Sequence, residues 1–157
     1  MSKVKFKYQQ PVFPVGMAKY AWLHEPDRYQ MEKHGKEQFS VRVLLNDTPE
    51  IRDLLENITA LGVKEAKLSN VRLKSKYSSP WKFPEDLDSG DFEDKLDDSG
   101  HVVKKAKYDE DYRDKIFFSV KSRFKPGLIG REKDENGKLQ PLADGVKIMS
   151  GDLIRVK

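Results

Sequence analysis

The chain has 157 residues, 37% hydrophobic and 36% charged, with no cysteine and a formal net charge of +4. That length fits one domain with a core of its own, and the missing cysteines exclude a disulfide framework, a thiol nucleophile and a cysteine–zinc site. No run approaches the roughly 18 apolar residues of a membrane span and the N-terminus lacks the apolar core of a signal peptide, so the expectation is a cytoplasmic protein with no membrane partner.

The charge is unevenly spread. Residues 85–98, EDLDSGDFEDKLDD, hold eight acids and one lysine, a net −7; the whole chain is +4, so the remainder is +11. A basic body of this kind points to a polyanionic partner.

In chain order, Val4–Tyr8 alternates Val4, Phe6 and Tyr8 against Lys5 and Lys7, as a short strand or basic arm. Met17–Leu23 reads as a strand with Tyr20 and Trp22 on one face and Lys19 on the other. The polar stretch His24–Lys36, broken by Pro26 and Gly35, reads as a loop. Phe39–Leu45 is the next strand, with Phe39, Val41, Val43 and Leu45 inward and Arg42 outward. Asp47-Thr48-Pro49-Glu50 opens a helix, Asp47 offering an acceptor to free N–H groups and Pro49 suiting the first turn. Ile51, Leu54, Leu55, Ile58 and Leu61 form one apolar stripe that plugs the core, and Gly62 is the expected stop.

Asn70–Lys76 places Val71 and Leu73 inward and Arg72, Lys74 and Lys76 outward, with Tyr77 and Trp81 just beyond. Residues 78–114 then form a long, partly acidic excursion, expected to be a mobile insertion within a single domain spanning 1–157. Ile116–Lys125 puts Ile116, Phe118, Val120 and Phe124 on one face and Phe117, Lys121, Arg123 and Lys125 on the other. Alone, such a strand is a charged edge that deters aggregation; beside two others of the same pattern it reads as the floor of a groove. Glu135-Asn136-Gly137-Lys138 is a hairpin turn, and Val146–Lys157 closes the chain with two apolar stretches around Ser150-Gly151-Asp152. These elements predict a mainly β fold, a small β barrel or curled sheet capped by a helix, of which an OB-fold-like five-stranded barrel with one capping helix and long loop insertions is the leading example.

Tyr20-Ala21-Trp22-Leu23 with Pro26-Asp27, the strand Phe39–Leu45, the proline-initiated helix, the basic-aromatic Phe117–Phe124 and the closing I-M-S-G-D-L-I-R-V together resemble the single-stranded-DNA-binding proteins of tailed bacteriophages. The resemblance implies an OB-fold that coats single-stranded DNA during replication, recombination and repair in the host cytoplasm. It also implies replication or recombination proteins as further partners, and the chain is expected to be a monomer or weak homodimer. The family's acidic C-terminal tail is not matched within these 157 residues, which leaves tail-mediated partner binding and dimerisation open.

Apart from any resemblance, a non-specific binder of single strands needs cations along a groove and rings on which bases stack. The candidate cations are Arg42, Arg72, Lys74, Lys76, Lys121, Arg123 and Lys125; the candidate platforms are Tyr20, Trp22, Tyr77, Trp81 and Phe117. Two other classes compete: a protein-interaction module binding a peptide or subunit at a sheet edge, and a metal-dependent nuclease using Asp86, Asp88 and Asp91 beside Gly90. Those acids miss the spacing and terminal glutamate of a calcium loop. His24, His34 and His101 lack zinc-ligand spacing, and no catalytic or phosphate-loop motif occurs. The expectation is therefore a binder and not an enzyme, with no metal and no cofactor.

Overall fold

The structure, a computed structural model, describes residues 13–68 and 79–156. The expected strands Val4–Tyr8 and Asn70–Lys76, and with them Arg72, Lys74, Lys76 and Tyr77, lie outside the described residues. In order come β1 (Gly16–Trp22), α1 (Arg28–His34), β2 (Phe39–Asn46), α2 (Pro49–Leu68), β3 (Lys95–Leu96), β4 (Val102–Lys104), β5 (Lys115–Ser122), β6 (Ile129–Lys133), β7 (Leu139–Pro141) and β8 (Leu153–Ile154). The described strands form open sheets: one of four strands in the order β5-β2-β1-β8, and two antiparallel ribbons, β3-β4 and β6-β7. The fold is mainly β with one main helix, and the closed five-stranded barrel is not seen among the described residues. No described helix is long and apolar enough to cross a membrane.

Local chemistry explains where the helices differ from expectation. The Ile51 N–H of α2 donates to Thr48 Oγ1 at 3.2 Å, so Thr48 and not Asp47 caps the helix, and Pro49 follows where no N–H is needed. The helix then runs through Gly62 to Leu68, because glycine in a helix costs only about 1 kcal/mol relative to alanine. The stretch expected as a loop contains α1. Asp27 Oδ1 accepts from the Tyr29 and Gln30 N–H groups, and Gly35, at φ +61°, closes the helix by donating to Met31. Its caps are written in the sequence; the apolar stripe is missing, because none of its residues is buried.

The described residues divide into two compact units. The first holds residues 13–16, 44–68, 79–118 and 155–156. Its core joins Leu55 of α2 to two aromatic clusters. In one, Trp81 meets Phe118 edge-on at 5.0 Å, with Phe13 at 6.0 and 5.6 Å from the two rings. In the other, Tyr108, Tyr112 and Phe117 pack at centroid distances of 5.0–5.6 Å. The 78–114 excursion thus supplies core side chains, and it holds three short 3-10 turns besides the β3-β4 ribbon. Its first acid, Glu85, shares the Arg52 guanidinium with Asp47: Arg52 forks onto Asp47 at 2.6 and 2.9 Å and onto Glu85 at 2.7 and 2.8 Å.

The second unit holds residues 17–43 and 119–154. Ala18, Leu23, Phe39, Val41 and Val43 are buried in it. The 150–152 turn is laced to β1, Ala18 N–H donating to the Asp152 carbonyl and Gly151 N–H to the Ala18 carbonyl, each at 2.8 Å. The β6-β7 hairpin turns at Asn136-Gly137 as the sequence predicts, with Asp134 Oδ1 accepting from the Asn136 and Lys138 N–H groups and Gly137 at φ +77°.

Candidate nucleic-acid interface

The alternation of β5 is real, yet only its second half leaves one face open. Ile116, Phe117 and Phe118 are all buried. Phe117, expected outward as a stacking platform, is 5% exposed; its ring lies against Tyr108 and Tyr112, and its backbone exchanges both hydrogen bonds with Lys82. From Ser119 onward the same parity opens: Ser119 and Lys121 are exposed while Val120 is half-buried. The strand ends at Ser122, whose hydroxyl accepts the Phe124 N–H at 3.1 Å. Phe124, expected in the core, is therefore 82% exposed between Arg123 and Lys125, which are exposed as well. Once the strand has ended, the two-residue period no longer decides where a side chain goes.

The outward face of β2 behaves in the same way. Arg42 is half-buried, while Leu44, of the same parity, is buried. Arg42 Nε donates to Ser119 Oγ at 3.4 Å, and its guanidinium carbon lies 5.8 Å from the centroid of the Tyr20 ring. Because β1, β2 and β5 are neighbours in the sheet, Tyr20, Arg42 and Ser119 make a row across three strands, with Lys121 two residues along the last. At about 4.8 Å per strand such a row is about 10 Å across.

Tyr20 has an unusual backbone. It sits at φ +51° in the middle of β1, a region that costs an L-residue about 1–2 kcal/mol. The alternation expected for this strand consequently breaks. Lys19, assigned to the opposite face, is 7% exposed and carries its ammonium 5.9 Å from the Tyr20 centroid. The ring itself is 56% exposed. Trp22, expected beside Tyr20, is half-buried.

Trp81 is not a surface platform. It is 8% exposed, and its indole Nε1–H donates to Thr59 Oγ1 at 2.9 Å. Of the nominated residues, the structure brings Tyr20, Arg42 and Lys121 to one open face and leaves Arg123 and Lys125 exposed on the loop after β5. Phe117 and Trp81 it removes to the core of the first unit. Sequence reasoning placed Phe124 in the core and Lys19 on the opposite face, and it gave Ser119 no role. Pro126-Gly127 marks a turn only after Lys125, and nothing local signals that β5 ends at Ser122 or marks the others.

Four carboxylates of 85–98 accept hydrogen bonds within the first unit. Besides the Glu85–Arg52 pair, Asp86 accepts from the Phe83 N–H, Asp94 from Ala106, and Asp97 from Ser99 and His101. Asp88, Asp91 and Glu93 line a cleft of about 170 Å³ together with Lys95, Lys104, Lys105 and Lys107. No group of three His, Asp or Glu residues placed to hold a metal occurs among the described residues.

No protein-family model matches the sequence, and no curated protein does. Among solved structures, the chain is similar to the crystal structure of gp2.5, a single-stranded DNA binding protein encoded by bacteriophage T7, with a TM-score of 0.40 and 19% identity, over 92% of this chain and 75% of that one.

Proposed function

We propose that the face formed by Tyr20, Arg42 and Lys121, together with the Arg123–Lys125 loop, binds single-stranded DNA without sequence preference, and that the chain coats such strands in phage DNA replication, recombination and repair. The observation behind this reading is the Tyr20 ring, held in the open by a strained backbone with two cations within 6 Å of its centroid. A base stacked on an aromatic ring contributes about 1–3 kcal/mol whatever its identity, and cations beside it meet the phosphates that link successive bases. An open face of this kind can accept the flat side of an unpaired base, which a duplex keeps stacked within its own helix. Phe124 joins the candidates as a second exposed ring, and Arg72, Lys74, Lys76 and Tyr77 stay among them on the strength of the sequence. Trp81 and Phe117 leave them. The role is binding and not catalysis, with replication or recombination proteins as further partners.

Fluorescence anisotropy of end-labelled oligo-dT, duplex DNA and oligo-U at two salt concentrations tests this. The expected result is binding to single strands in preference to duplex, weakening steeply as salt rises. Equal affinity for duplex and single strand, or no binding to either, would overturn it.

A further inference from the structure

A bulky residue in the left-handed region persists only where its surroundings over-determine it, because its Cβ crowds the following carbonyl. For Tyr20 the constraint comes from the far end of the chain. The hydrogen bonds of β1 to the 150–152 turn begin in the ordinary way at Ala18, which donates to Asp152 and accepts from Gly151. The next donor facing that way along β1 is the Tyr20 N–H. It is met by Ser150 Oγ at 3.0 Å and not by a carbonyl. The ladder passes from backbone to side chain at the residue whose φ is reversed.

The position of that hydroxyl is fixed in turn. On one side the Ile148 N–H donates to His24 Nε2 at 2.9 Å. On the other, Met149 N–H donates to Asp152 Oδ2 at 2.8 Å and Asp152 N–H to the Met149 carbonyl at 3.1 Å. Gly151, at φ +98°, supplies a backbone conformation that a side chain would strain.

We infer that Ser150 is a positioning residue: by accepting the Tyr20 N–H it locks that backbone in the left-handed form and holds the ring out beside Lys19 and Arg42. The turn Ile148–Asp152, 130 residues along the chain from Tyr20 at Ser150, becomes part of the binding face without touching the ligand. The inference rests on the reading of Tyr20 as a platform for bases.

Ser150→Ala removes the acceptor and Ser150→Thr keeps a hydroxyl there; each is compared with wild type in two measurements. The first is amide hydrogen exchange of Tyr20 in the free protein, which needs no nucleic acid. The second is oligo-dT affinity, measured also on a Tyr20→Gly background, where no ring remains to be positioned. Expected are Tyr20 exchange about tenfold faster and affinity about tenfold weaker in Ser150→Ala, both largely restored in Ser150→Thr, and no further fall in affinity when Ser150→Ala is added to Tyr20→Gly. Unchanged Tyr20 exchange in Ser150→Ala overturns the inference, as does a fall in affinity that persists in full on the Tyr20→Gly background. If wild type binds no oligo-dT, the nucleic-acid reading falls, and the role assigned to Ser150 in the binding face falls with it. Exchange still reports separately whether the hydroxyl locks the Tyr20 backbone.

Discussion

The indole nitrogen of Trp81 donates to Thr59 Oγ1 at 2.9 Å, and the same hydroxyl donates to the Leu55 carbonyl one helical turn back. The excursion after α2 is fastened to that helix by a partly buried polar bond one turn from its fully buried Leu55. Trp81→Phe keeps an aromatic ring in the cluster but removes the donor together with part of the indole's packing volume. It is expected to lower stability by about 1–3 kcal/mol in urea denaturation and to leave oligo-dT affinity within about twofold of wild type, a small change where about 1.4 kcal/mol is needed for tenfold. A large fall in affinity with stability preserved would return Trp81 to the binding face.

Phe117→Ala opens a cavity between Tyr108 and Tyr112. The expected cost is about 3–5 kcal/mol, read as a lower urea midpoint. A variant as stable as wild type would show that the ring is not the core residue that its 5% exposure implies.

Tyr20→Gly separates strain from function. Glycine relieves the left-handed conformation but adds entropy to the unfolded chain, so thermal stability is expected to match wild type or exceed it by up to about 1 kcal/mol. Affinity for oligo-dT should meanwhile fall about tenfold as one stacked base is given up. A destabilised variant with full affinity would contradict both expectations.

Lys121→Ala with Arg123→Ala tests whether these exposed cations meet phosphates. Removing one cation that neutralises a phosphate should reduce the slope of log affinity against log salt by about 0.7 for a single strand. The double variant is expected to bind more weakly at low salt and with a slope shallower by about 1.4. An unchanged slope would assign both side chains to bulk solvent.

The Asp47–Arg52–Glu85 cluster sets an acid limit on stability. Hydrogen bonds from Arg52 hold the Glu85 carboxyl down at about 2 against its ordinary 4.5 and keep Asp47 below its ordinary 3.8. An acid depressed in the folded state stabilises the protein above its unfolded value, and that contribution disappears as pH falls through the folded value. The stabilisation is therefore complete above about pH 4.5 and fades between there and about pH 2. Glu85 is exposed, so solvent screening keeps the effect modest. Urea midpoints followed across that window should fall more steeply for wild type than for Arg52→Met; parallel profiles would show that the cluster adds nothing.

The parity of β5 and β2, the Asn136-Gly137 hairpin and the proline-led start of α2 were legible in the chain, because each depends on residues a few positions apart. Which stretch of an alternating face stays open was not. The cover over Phe117 comes from Lys82, Tyr108 and Tyr112, and the pocket that takes Trp81 is lined from α2 and Phe118, so both aromatics were drawn into a core that no local pattern announces. The reversed backbone of Tyr20 lay further still from view. A tyrosine within a strand motif predicts an extended residue, and only the approach of a serine hydroxyl from the opposite end of the chain, replacing a carbonyl in the ladder, stabilises the conformation that exposes its ring. Local spacing determined which residues were of the right kind for the face; burial by distant segments decided which of them reach it.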